Sequence, residues 1–206
     1  MLREYGSRMG NGGSFQQSSG RWALARVMAA FRDLSGGTFG RITMAARARP
    51  TLVDRSFQLA YVCAYKVMRS YWTVRHPTTH GALVMLWNAG QVLLVRNSYV
   101  PFYGLPGGYL RNGETARDAA VRELLEEVGL ELAPERLQPV LEETHDWEGK
   151  RDHVQIFSVD LVERPRIAID HREVVDASWW NPEGALALTL FPPLRRALQR
   201  RTPRGE

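Results

Sequence analysis

The sequence carries a single cysteine, Cys63, in 206 residues. One thiol excludes an internal disulfide and a cysteine-based zinc centre, and it fits a reducing compartment. Lysine is almost as scarce: of 27 basic residues only Lys66 and Lys150 are lysines. No apolar run approaches the roughly 18 residues that a membrane-spanning helix needs. The N-terminus lacks the compact apolar core of a secretory signal, so the expected location is the cytoplasm. Acidic residues are nearly missing from residues 1–50, where eight Arg face only Glu4 and Asp33, a net charge of +6. The remainder has 19 basic and 20 acidic residues, net −1. The overall charge of +5 and pI near 9.7 therefore belong to the N-terminal segment. They give no reason to expect the main domain to bind nucleic acid. An Arg-rich, acid-poor start is also the composition of an organellar transit peptide; a disordered extension is the preferred reading.

What is present reads as a globular chain, with 44% hydrophobic and 24% charged residues. Residues 1–50 form a basic, largely disordered extension. Within it Trp22, Val27, Met28 and Phe31 share the face of a short helix over 21–34. Residues 51–78 are a helical segment, with Leu59, Val62, Tyr65, Met68 and Trp72 at three- and four-residue steps. Three roles suit that helix: packing on the main domain, a homodimer contact, or weak attachment to a membrane surface through residues 20–75. Residues 79–200 are the main domain and 201–206 a tail. In the domain, "GALVMLW" and "QVLLVRNSY" flank a hairpin turn at Asn88–Gly90. "HVQIFSVDLV" and "VVDASWW" are further strands, and "NPEGALAL" and "PPLRRALQR" are helices. Strands wrapped around an internal helix make this an α/β fold.

The informative stretch is "LPGGYLRNGETARDAAVRELLEEVGL" (Leu105–Leu130). Thr115 caps a helix over about 116–128, Asp118 reaches back to it, and Gly129 suits a left-handed end. Glu123, Glu126 and Glu127 then lie on one face. Like charges at that spacing cost a few tenths of a kcal/mol per pair. Their place at the helix C-terminus costs about 0.3–1 kcal/mol each against the helix dipole. A solvated face would interleave cations, and only Arg122 is near. A site for a hard divalent cation, Mg²⁺ or else Mn²⁺, accounts for the cluster. Gly107 and Gly108 let the backbone approach the same ion, with a main-chain carbonyl as a further donor.

These residues resemble the Nudix hydrolase superfamily. Its box, G-x5-E-x7-R-E-U-x-E-E-x-G-U with U bulky and apolar, is matched at Gly108, Glu114, Arg122, Glu123, Leu124, Glu126, Glu127, Gly129 and Leu130. The resemblance covers about residues 79–200. It implies an α/β/α sandwich with a mixed sheet, here carrying an N-terminal helical extension. It implies a hydrolase cleaving the pyrophosphate linkage of a nucleoside diphosphate joined to another group. Glu123, Glu126, Glu127 and Arg122 would be catalytic, and Gly107, Glu123, Glu126 and Glu127 would hold the metal. Arg96, Tyr103, Gly108 and Glu114 would serve substrate binding. A Nudix-fold nucleotide-binding or regulatory module without catalysis is the alternative.

The general base is Glu123 or an acid from a later loop: Glu142, Glu143, Asp146, Glu148 or Glu173. Base-stacking aromatics are to be sought among Tyr99, Phe102, Tyr103, Trp147, Trp179 and Trp180. The histidines His76, His80, His145, His153 and His171 show no ligand spacing. Signatures of the ADP-ribose, dinucleoside polyphosphate, coenzyme A and NADH groups are absent downstream of the box. Nucleoside triphosphates, oxidised ones included, and nucleotide sugars remain as expected substrates.

Overall fold

A computed structural model describes residues 50–169 and 171–201. The extension and the helix expected over 21–34 lie outside the described residues. Helix α1 (Leu52–Arg75) comes first, and strand β1 (Thr78–Asn88) follows. Strand β2 (Gln91–Asn97) and the short strand β3 (Gly107–Tyr109) lead into helix α2 (Ala116–Val128). Strands β4 (Gln138–Trp147), β5 (Lys150–Asp160) and β6 (Val174–Trp180) come next. Helices α3 (Pro182–Ala187) and α4 (Pro192–Arg201) close the described chain.

The strands form one mixed sheet in the order β4-β5-β1-β2-β6, with β3 paired to β1. The β1–β5 pair is parallel and the remaining pairs are antiparallel. Alternation along the strands supplies both faces. Ala82, Val84, Leu86, Leu93 and Val95 pack against Ala119, Ala120, Leu124 and Val128 of α2. Their neighbours Met85, Trp87, Val92 and Leu94 pack against Ala185, Leu194, Ala197 and Leu198 of α3 and α4. A sheet covered on both faces explains why β1 and β2 read as continuous apolar runs. The result is the expected α/β/α sandwich.

Three details differ from the sequence reading. First, β4 is a ten-residue strand where a loop was expected. It pairs only with β5, so its outward row of Glu142, Thr144 and Asp146 is the charged dressing of an edge strand. Second, "LPGG" is more than a turn: its glycines pair with β1 as Gly108↔Ala82 and Gly107↔Leu83. Third, α1 buries Tyr61, Met68 and Trp72, whereas Leu59 is 65% exposed. Met68 and Trp72 pack as expected, and the face is rotated away from Leu59 toward Tyr61. It is anchored on the domain by the Asp54–Arg172 ion pair and by Gln58 donating to the His171 carbonyl.

Candidate active site

The site is built where the N-terminal half of β1 hands its edge from β2 to β3. Gly107 adopts φ +146 there, and an added Cβ would lie 2.7 Å from Leu83 Cα, so only glycine fits. The close pairing carries Gly107 and Gly108 under α2. The helix forms where expected: the Thr115 hydroxyl accepts from Asp118 N–H at 3.2 Å, and Gly129 ends it at φ +70. Asp118 reaches back to the Thr115 hydroxyl, at 2.6 Å, rather than to its backbone.

Arg122 is the hub. Its guanidinium forks onto Glu114, with Nε to Oε1 at 2.7 Å and Nη2 to Oε2 at 2.9 Å. It also donates to Glu123, to Glu126 at 3.4 Å and to the Tyr109 carbonyl at 3.2 Å. Arg111 reaches Glu126 at 3.1 Å. Glu127 accepts from the Gly107 N–H at 2.9 Å. Glu123 and Glu127 are buried, at 4% and 5% exposure, which marks them off from a solvated acidic face. Gly108 is why Glu123 fits: a Cβ at that position would lie 2.5 Å from its carboxylate oxygen. Burial pushes the Glu114 carboxyl up, but the hydrogen bonds from Arg122 and the Arg111 N–H outweigh it and hold it low.

A cavity of about 220 Å³ opens beside this cluster. Gly107, Gly108, Arg111, Arg122 and Glu123 line one end. Glu114, Glu126 and Glu127 belong to the same ionic cluster without lining the cavity. Arg96 and Tyr103 stand apart from it. Val95 and Asn97 line the cavity, so strand alternation sends the Arg96 side chain to the opposite face. Tyr103 donates to Asp176 at 2.9 Å and packs edge-on against Trp180. Among the expected aromatics, Tyr99, Phe102 and Trp147 line the cavity, and Trp179 and Trp180 do not. Of the acids considered as base, Glu148 and Glu173 line it together with Glu123. Glu142 and Glu143 are occupied elsewhere, by His153 and Arg196.

The far end holds residues that sequence reasoning missed: Tyr65 and Trp72 of α1, Tyr109, and the pair Lys150–Asp152. Lys150 Nζ meets Asp152 at 2.6 Å, and Thr79 donates to the other Asp152 oxygen, also at 2.6 Å. Burial pushes the Lys150 ammonium down, against the pull of Asp152. Burial also raises the Tyr65 and Tyr99 hydroxyls, helped by the carboxylates they touch, Glu148 and Glu173. One signal was available for Lys150, as one of only two lysines in the chain. Tyr65 and Trp72 gave none, since an aromatic on the apolar face of a helix reads as core.

Comparison with known proteins agrees with this construction. The chain is 34% identical over 121 residues to a putative 8-oxo-dGTP diphosphatase of Bacillus subtilis, covering 58% of this chain and 77% of that protein. It is 45% identical over 67 residues to an RNA pyrophosphohydrolase of Dinoroseobacter shibae, covering 31% of this chain and 40% of that one. A MutT NUDIX hydrolase from Burkholderia pseudomallei superposes with a TM-score of 0.55 at 22% identity, over 61% of this chain and 98% of that one, a likeness of fold. The family model of the NUDIX domain matches residues 77–201, more than half of the sequence, and the chain belongs to that family.

Proposed function

We propose that the protein is a divalent-cation-dependent hydrolase that cleaves the pyrophosphate linkage of a nucleoside triphosphate. The observation that carries this is the charge of the cluster. Glu114, Glu123, Glu126 and Glu127 set four carboxylates against the two guanidiniums of Arg111 and Arg122, an excess of two negative charges. Two of the four are buried. Hard oxygen donors with that excess fit Mg²⁺ or Mn²⁺. Glu123, Glu126, Glu127 and the Gly107 carbonyl would hold the cation. Bound there, it supplies neutralisation of the charge that builds on phosphate oxygens during transfer.

The chain's own residues do the rest. Arg122 holds Glu114 and fixes the orientation of Glu123. The Gly107 N–H fixes Glu127. Arg111, bordering the cavity and paired to Glu126 in an exposed position, is the cation free to swing onto a substrate phosphate. The base that accepts a proton from the attacking water is drawn from the three cavity carboxylates, Glu123, Glu148 and Glu173. The names of the two relatives above, a diphosphatase and a pyrophosphohydrolase, support the reaction class.

The test is to incubate the protein with a panel of nucleoside triphosphates and nucleotide sugars, with Mg²⁺ or with a chelator, and to separate the products. The reading predicts nucleoside monophosphate plus pyrophosphate from a triphosphate, abolished by the chelator. Nucleoside diphosphate plus phosphate, or turnover that survives chelation, would contradict it. Cleavage of nucleotide sugars alone would keep the reaction and replace the substrate.

A further inference from the structure

The family match begins at residue 77, yet part of the cavity wall precedes it. Helix α1 crosses from the loop before β6 to the turn between β4 and β5. At its start Asp54 pairs with Arg172 at 3.3 Å. At its end the backbone runs against Gly149, where a Cβ would lie 2.9 Å from both Thr73 Cα and N. The turn is shaped to receive it. Glu148, a non-glycine residue, adopts φ +51, and Gly149 follows at φ +80. Both angles are those of a two-residue hairpin turn between Trp147 and Lys150, as at Ala89–Gly90 between β1 and β2. The Tyr65 hydroxyl of α1 donates to Glu148 in that turn.

Between these anchors two rings of α1 reach the cavity. Tyr65 packs on Tyr99 at 5.0 Å and edge-on against Trp72 at 6.0 Å. Lys150 Nζ sits over the rings of Trp72 and Tyr109, at 5.0 and 5.3 Å, beside its partner Asp152. A nearly buried ion pair is a poor source of stability, so its place in a cavity wall points to recognition. One part of the lining is thus the glycine turn with Arg111 and Arg122, beside the carboxylates that would hold a cation, and another part is aromatic with a polar edge. Those are the two chemistries of a nucleotide, phosphate and base.

We propose that α1 is part of the substrate site, and that Tyr65, backed by the buried Trp72, forms the wall that receives the nucleobase. This rests on the hydrolase reading for the position of the phosphates. It makes the segment outside the family domain a determinant of which nucleotide is bound.

The experiment is calorimetric titration of the full-length protein, with Mg²⁺, by a nucleoside 5′-monophosphate and separately by inorganic pyrophosphate. Tyr65→Leu should weaken monophosphate binding about tenfold, the scale of losing one base–aromatic contact. Pyrophosphate binding should not change. Val67→Ser, on the outer face of the same helix, should bind both ligands as the wild type does. Tyr65→Phe, which keeps the ring, should retain wild-type affinity. Unchanged monophosphate binding in Tyr65→Leu would overturn the proposal, as would equal weakening of both ligands. A Tyr65→Phe defect as large as that of Tyr65→Leu would overturn the role of the ring. Base-dependent binding without any triphosphate hydrolysis would sink the hydrolase reading and leave this one standing.

Discussion

Gly107 and Gly108 are neighbours with separable roles. At Gly107 a side chain meets backbone, Leu83 Cα, in a left-handed region. Gly107→Ala should cost at least about 1–3 kcal/mol of stability, read by chemical denaturation. At Gly108 the side chain meets only the movable carboxylate of Glu123. Gly108→Ala should melt near the wild-type temperature yet lose at least about tenfold in kcat, since a misplaced catalytic group of this kind is costly. His145 tests a different residue-scale point. Both ring nitrogens are buried without a hydrogen-bond partner, and burial lowers its pKa despite nearby Asp152 and Glu143. Its folded-state pKa lies below the unfolded value of about 6.5. The stability it contributes is therefore present above that value and is lost as pH falls below it. Between pH 7 and 5.5 the melting temperature of the wild type should fall more than that of His145→Phe; parallel curves would refute this. The glutamates of α2 were legible in the sequence because their spacing is a local property of one helix. Arg96 was not, because strand alternation turns on a single residue. Lys150 was marked only by the scarcity of lysine, because its neighbours Trp72 and Tyr109 are distant in the chain.

At the scale of elements, α2 and β6 follow from local signals alone: a cap, a period and a glycine stop for the helix, and a β-branched and aromatic run for the strand. Strand β4 does not, because pairing with β5 overrides a sequence rich in glutamate and interrupted by Pro139. Helix α1 was legible as a helix, and Met68 and Trp72 on its packing face were legible too, but Leu59 was misplaced and Asp54 and Tyr61 were missed, since contact with the domain sets the exact face. The face turned away carries Leu52, Leu59, Val67 and Val74, all strongly exposed, and an apolar period read without the domain cannot tell the two stripes apart. Docking of α1 rests on the β4–β5 turn, so Gly149→Ala should loosen the helix before the sheet. Hydrogen exchange should show faster exchange in Leu52–Arg75 and unchanged protection in β1 and β5. Uniform change across the molecule would contradict that account. At the other end, Asp54→Ala removes a capping box and the Arg172 ion pair, and should cost about 1–2 kcal/mol by denaturation.

At the scale of the molecule, the sandwich places a carboxylate cluster at one end of a cavity and an aromatic wall at the other, with α1 shared between fold and site. Among the described residues no helix is long and apolar enough to cross a membrane. The reaction class was legible because a run of 23 residues, Gly108–Leu130, holds the whole box. The substrate was not, because the far wall is assembled from α1, β3, β5 and the β4–β5 turn, which share no linear pattern. The central claim is that the carboxylates of α2 are chemical groups and not structural ones. The measurement is steady-state hydrolysis of the preferred nucleoside triphosphate with Mg²⁺, comparing wild type with Glu126→Gln and Glu127→Gln, each shown to fold by circular dichroism. The account predicts a fall in kcat of about a hundredfold or more in both, with the fold retained. Product release at the wild-type rate from folded Glu126→Gln and Glu127→Gln proteins would contradict it.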